Sequence, residues 1–322
     1  MRASETTLTT AILALAPLAI TALAISALWA GCSPGAGHDA GPARDARIAD
    51  AGRTDAARTD AARVDAARRD AGGRADAGAS PTCDASASTI RAIFIGNSQV
   101  AFWDLPQLVG RLSASAPAGC ARVEGTAFTR GGANLGALLT DGAEDGRRLE
   151  AELSSGRYDA VVIAESIDLA EIPGFEAQFR RDATAIVELA RAHGLRALLY
   201  ASPYVERPDR SGFHAMADPQ LALGGELGVP VAAGGLAWLR VWDEEPSMDL
   251  YYRDRAHPGY RGSYVSALVI LAALTGASPI GLSAEHGIFC FDERTTCPAF
   301  APGEAELFQR AALAQHLATG TR

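Results

Sequence analysis

The chain has no lysine; its 29 basic residues are all arginine. This reads as genome composition and carries no functional inference. There is also no arginine-rich block, and 38 acidic residues leave a net charge of −9. A nucleic-acid surface needs a concentrated positive field, so nucleic acid is not expected as a partner. Neither Cys-x-x-Cys nor His-x-x-x-His occurs, so no zinc site, and no metal, is expected. The glycine patterns of a Walker loop and of a Rossmann dinucleotide site are missing too, so no organic cofactor is implied. Beyond residue 88 there is no Gly-x-Ser-x-Gly elbow, which argues against the α/β-hydrolase fold.

What is present begins with residues 11–31, an apolar run preceded by Arg2 and ending in small residues at Cys32. It reads as a signal peptide. The stretch Leu28-Trp29-Ala30-Gly31-Cys32 is similar to a bacterial lipobox, although Trp29 stands where that pattern has leucine. Cleavage and lipidation at Cys32 are therefore expected, with the rest of the chain exported and held to the cell envelope by lipid. A transmembrane anchor is the alternative, since about 20 apolar residues span a bilayer. Both readings put the remainder outside the cytoplasm.

The cysteines agree with export. If Cys32 carries lipid, Cys83, Cys120, Cys290 and Cys297 remain, enough for two disulfides in an oxidising compartment. Cys290 and Cys297 flank one short loop and form the favoured pair, which leaves Cys83 for Cys120, but sequence alone does not fix the connectivity.

Residues 33–88 form a low-complexity linker in which Asp-Ala recurs every five residues, at Asp45, Asp50, Asp55, Asp60, Asp65 and Asp70. A period of five matches neither helix nor strand, so no apolar face accumulates and the segment is expected to be disordered. Arg53, Arg58, Arg63 and Arg68 each follow an aspartate by three residues, which gives weak, transient helical support. As a coil of about 50 residues it is a tether with a reach on the order of 40 Å.

From residue 89 to 322 strand and helix patterns alternate. Strands are expected over 89–96, 121–128, 159–166, 195–203 and 229–234. Helices are expected over 105–115, 147–156, 173–194, 214–228, 264–276 and 304–318. Apolar runs such as Ala160-Val161-Val162-Ile163 suit parallel strands covered on both faces. The order implies a three-layer α/β/α sandwich around a mostly parallel five-stranded sheet.

Ser98 ends the run Ile93-Phe94-Ile95-Gly96-Asn97-Ser98, at a strand's C-terminal tip, where open α/β sheets place reactive groups. Far downstream, Asp254-Arg255-Ala256-His257 precedes a helix. A serine oxygen is a poor nucleophile until a base removes its proton. Histidine is the usual base near neutrality, and a carboxylate fixes its tautomer and stabilises the imidazolium. Ser98, His257 and Asp254 can supply all three parts if both motifs open on one sheet edge. The other histidines carry less: His38 lies in the linker, His193 at a helix end, and His214, His286 and His316 have no partner pattern. Trp238 and Trp242 line a substrate groove or belong to the core.

Gly96-Asn97-Ser98, Gly132 in the turn after the second strand and Asp254-x-x-His257 before a late helix together resemble the SGNH/GDSL hydrolase superfamily, over nearly all of 89–280. Its flavodoxin-like sandwich is the fold the resemblance implies. It also implies Ser98 as nucleophile, His257 as base, Asp254 as orienter, and the N–H groups of Ser98 and Gly132 as oxyanion donors. The family's third donor is an asparagine in Gly-x-Asn-Asp after strand three. This chain has Ala164-Glu165-Ser166 there instead. Ser166 and Asn134 are the substitutes at hand, and Glu165 is a poor donor unless protonated. The function implied is an exported serine esterase acting on acyl or acetyl esters of small molecules or polysaccharides. A catalytically silent carbohydrate-binding module on the same fold is the competing reading.

Overall fold

The computed structural model describes Cys83, residues 88–284, 289–290, 295–297 and 299–320, with backbone only at 289, 290, 295 and 296. The signal peptide, Cys32 and nearly all of the linker lie outside the described residues.

Strands β1 (Thr89–Gly96), β2 (Arg122–Thr129), β3 (Ala160–Ile163), β4 (Arg196–Ala201) and β5 (Val231–Ala233) form one sheet in the order β2-β1-β3-β4-β5. Every pairing is parallel, with Gly96 beside Thr129 and Ile95 beside Ile163. Ile93, Phe94 and Ile95 of β1 are fully buried. Consecutive burial of this kind needs a cover on both faces, and each such side chain contributes about 1.5–3 kcal/mol.

The helices supply that cover. They are α1 (Ser98–Ala101), α2 (Leu105–Ser115), α3 (Leu135–Asp141), α4 (Leu149–Leu153), α5 (Asp168–Glu171), α6 (Glu176–Ala192), α7 (Ser211–Leu227), α8 (Gly234–Glu244), α9 (Tyr260–Thr275) and α10 (Glu304–Thr319). On one face α2, α8 and α10 pack around the apolar α9; on the other α3, α6 and α7 lie over the sheet. Helix α6 shows why the sequence folds this way. Phe179, Ala183, Ile186, Val187 and Ala190 recur at helical spacing, and all five are buried. A two-residue hairpin of β6 (Phe289–Cys290) and β7 (Thr295–Thr296) stands apart from the main sheet.

The elements expected from sequence are present within a few residues of their expected bounds, α7, α9 and α10 running longer, and the sheet is wholly parallel; α8, of 11 residues, is not among the expected helices. Short helices α1, α3 and α5 escape periodicity because four to seven residues are too few to show a period. Trp238 and Trp242 belong to α8 and are core residues, buried edge-to-face against each other at 5.8 Å with Phe213 and Tyr251 around them. Cys83 is disulfide-bonded to Cys120, closing a separation of 37 residues and tying the segment before β1 to the start of β2. Cys297 is disulfide-bonded as well, whereas the side chain of Cys290 lies outside the described residues. Among the described residues no helix is long and apolar enough to cross a membrane.

Candidate active site

Strand β1 is an inner strand, second in the sheet, and the chain leaves it for β2 on one side and returns to β3 on the other. The crevice at such a switch point, beyond the strands' carboxyl ends, is where this architecture binds ligands. Ser98 stands there, two residues after β1. Gly96 lets the turn form, because a Cβ at Gly96 would lie 2.7 Å from Val100 Cγ2 and 3.1 Å from Ala164 Cβ. Asn97 shapes the turn from both sides. Its Oδ1 accepts the Gln99 N–H at 3.0 Å, capping α1, and its Nδ2 donates to the Ala133 carbonyl at 3.2 Å.

The loop before α9 brings in the second motif. His257 Nε2 is 2.8 Å from Ser98 Oγ, and His257 Nδ1 is 2.8 Å from Asp254 Oδ2. The other carboxylate oxygen, Oδ1, accepts the N–H groups of Ala256 at 2.9 Å and His257 at 3.0 Å. Burial pushes the Asp254 carboxyl up, but these N–H groups and the His257 ring outweigh it and hold it below its ordinary value. Asp254 is therefore ionised at neutral pH, as an orienting carboxylate must be.

Three side chains that sequence reasoning missed fix this loop to the Ser98 turn. The Phe102 ring stacks flat on His257, centroids 4.3 Å apart at 12°. Gln99 Nε2 donates to the Ala256 carbonyl at 2.9 Å, and Trp103 Nε1 donates to the Pro258 carbonyl at 2.7 Å. None carries a spacing signal, since each reaches a residue more than 150 positions away.

Comparison with solved structures places the fold. A DUF4886 family protein from Bacteroides uniformis superposes with a TM-score of 0.54 at 15% identity, over 71% of this chain and 95% of that one. A catalytic mutant of an acetylxylan esterase from Geobacillus stearothermophilus matches at 15% identity with a TM-score of 0.44, over 58% of this chain and 95% of its own. A member of the lipolytic G-D-S-L family from Veillonella parvula matches at 14% identity with a TM-score of 0.41, over 58% and 96%. The first of these shows a likeness of fold alone. No family model matches the sequence, and no curated protein matches it.

Ester hydrolysis also requires a set of oxyanion donors. Gly132 follows β2 with φ +67°, a left-handed conformation that favours glycine, and a Cβ there would meet nothing within 4 Å. Asn134 caps α3: its Oδ1 accepts the Ala137 N–H at 3.0 Å. Ser166 is buried and its N–H is engaged by Glu165 Oε1 at 2.7 Å. Directly after β3, where the resemblance in sequence implies an asparagine, the chain places the buried Glu165 carboxyl group. Among the described residues no cluster of three or more His, Cys, Asp or Glu could hold a metal ion. A cavity of about 900 Å³ between α7, α8 and α10 is lined by none of these site residues.

Glu165 has no exposed surface. Burial pushes its carboxyl up from an ordinary 4.5 to about 7, against the Ser166 and Leu135 N–H groups, and the negative charge of Asp182 on α6 adds to the rise. An acid raised in this way keeps its proton in the folded state after the unfolded chain has lost it. The stability so gained is full below about pH 4.5 and is lost as pH rises through about 7. At about 1.4 kcal/mol per pK unit, the loss between pH 4.5 and 8 is about 3 kcal/mol. Glu165→Gln removes the titration. Urea unfolding of both proteins across that range should show the variant gaining about 3 kcal/mol on the wild type, and parallel curves would refute the assignment.

Arg255, between the two triad candidates, adopts φ +58°. Its side chain holds that conformation in place. Nε donates to Glu206 Oε2 at 2.6 Å, Nη2 donates to Glu206 Oε1, and Nη1 donates to Asp249 Oδ1 at 2.8 Å. The Glu206 N–H donates to the Arg255 carbonyl at 2.9 Å, so the triad loop is tied to the segment after β4. Arg255→Ala is expected to lower kcat about tenfold by loosening Asp254 and His257, with little change in KM. Steady-state kinetics decides; an unchanged kcat would show that the loop holds its shape without the clamp.

Proposed function

We propose that this protein is an exported serine esterase, lipid-anchored through Cys32, that hydrolyses acyl or acetyl esters by a Ser98–His257–Asp254 triad. The observation that carries the reading is the continuous chain of bonds from Asp254 Oδ2 through His257 to Ser98 Oγ, two contacts of 2.8 Å. Ser98 Oγ attacks the ester carbonyl carbon while His257 Nε2 takes its proton. The N–H groups of Ser98 and Gly132 bind the oxyanion of the tetrahedral intermediate. The intermediate collapses, the C–O bond to the alcohol breaks, and the imidazolium protonates the leaving oxygen. Water, deprotonated by His257, then attacks the acyl-enzyme, and the carboxylic acid leaves as Ser98 recovers its proton. Export favours esters outside the cytoplasm, on small molecules or on a polysaccharide.

The test is covalent labelling. A fluorophosphonate probe reacts with an activated serine and leaves an inert one alone. Incubation of the full chain followed by peptide mass spectrometry should place the adduct on Ser98. A protein that stays unlabelled is a silent binding module on the same fold, and the esterase reading falls.

A further inference from the structure

Two glutamates are buried among the described residues, and they are treated differently. Glu152 is paired with Arg157 and Arg147 and accepts the Tyr158 hydroxyl. Glu165 has no arginine partner. A buried carboxyl without a cation is costly to keep, so its bonds matter. Its Oε1 accepts two N–H groups, Ser166 at 2.7 Å and Leu135 at 3.2 Å, while Oε2 has no partner.

Leu135 opens α3, directly after Gly131-Gly132-Ala133-Asn134. The Ala133 N–H closes that turn on the Arg130 carbonyl at 3.2 Å, and three further bonds tie it to its surroundings. Arg130 N–H donates to the Gly96 carbonyl at 3.1 Å, and Asn97 Nδ2 donates to the Ala133 carbonyl at 3.2 Å. Both of these bonds tie the turn to the nucleophile side. Only the Leu135 N–H on Glu165 ties its far end to the tip of β3. Gly132 has no Cβ, and one built there would meet nothing within 4 Å, so no side-chain packing orients this residue. The direction of its N–H depends on the anchors either side.

We propose that Glu165 is a positioning residue: its buried carboxyl oxygen fixes the far end of the turn that presents the Gly132 N–H to the acyl oxygen. This rests on the esterase reading for its chemistry, though not for its geometry. Glu165 thus stands at the β3 tip where the SGNH pattern has a donor, and serves that site through the backbone of the neighbouring turn. The shared acceptor oxygen is what the role requires; the negative charge is not.

Two variants of the full chain separate these requirements. Glu165→Met keeps volume and burial but removes the acceptor. Glu165→Gln keeps an acceptor oxygen and removes the charge. On p-nitrophenyl acetate, Glu165→Met should lose about 50-fold in kcat with KM within about threefold, below the loss for deleting an oxyanion donor outright. Glu165→Gln should rescue kcat to within about threefold of wild type. Deuterium uptake by peptides covering 130–136 should rise about tenfold in the methionine variant and not in the glutamine variant. A kcat or a loop protection unchanged in Glu165→Met overturns the proposal. So does a glutamine variant that falls as far as the methionine one, and if Glu165→Met does not fold, the glutamine variant's kcat and protection decide alone. Exchange also keeps the two readings apart. If wild type neither labels nor hydrolyses, the esterase reading fails, and the 130–136 protection still reports whether Glu165 holds the turn.

Discussion

Ser98→Ala is expected to lower the turnover of p-nitrophenyl acetate about 10⁴-fold or more, leaving only what the oxyanion donors and substrate binding supply. The expectation follows from the hydroxyl's single contact: Ser98 Oγ lies 2.8 Å from His257 Nε2. The turn itself does not need the side chain, since Asn97 caps α1 and Gly96 admits Val100. The thermal midpoint should therefore stay within about 2 °C of wild type. Turnover and a melting curve on the same preparation check both halves. A variant that keeps more than about one hundredth of the activity would remove Ser98 as nucleophile, since loss of a triad serine leaves far less.

Asp254→Asn should cost about 10³- to 10⁴-fold in kcat while the protein folds normally. The bond pattern of the carboxylate dictates why. Oδ1 accepts two backbone N–H groups, from Ala256 and His257. An asparagine must place its carbonyl oxygen there, because an amide NH₂ facing two N–H groups would leave four donors without an acceptor. The NH₂ then points at His257 Nδ1, which becomes an acceptor. The neutral ring carries its proton on Nε2, facing Ser98 Oγ, and cannot take the serine proton. Loop geometry is preserved and chemistry is lost. The measurement is kcat for the variant beside its circular dichroism spectrum. A fall of less than about tenfold would mean that Asp254 does not set the tautomer, given the size of that effect in triads.

Much of the site is written locally in the chain. Asp254 and His257 share one loop because they are three residues apart, and an aspartate with free backbone N–H groups two and three residues ahead closes that loop on itself. Gly96 and Gly132 announce a close approach and a left-handed turn. Glu165 stood out as the wrong residue type for a donor, yet its bond to Leu135 spans 30 positions and has no local signature. Phe102 against His257, Gln99 on Ala256, and Arg255 on Glu206 are likewise invisible in sequence, because each depends on which loops the sheet order makes neighbours.

The sequence by itself determined the alternation of strands and helices, the parallel sheet it implies, and the residue types able to act as nucleophile, base and orienter. These follow from hydrophobic periodicity and side-chain chemistry, which are properties of short stretches. Only the tertiary structure decided that Ser98 and His257, 159 residues apart, stand 2.8 Å from each other, that Trp238 and Trp242 are core, and that an unpaired carboxyl rests under the Gly132 turn. The physical reason is that distance between remote residues is set by how β1, β2 and β3 order themselves in the sheet and which face each helix covers. That choice minimises exposed apolar surface over the whole domain, and no segment of the chain encodes it alone.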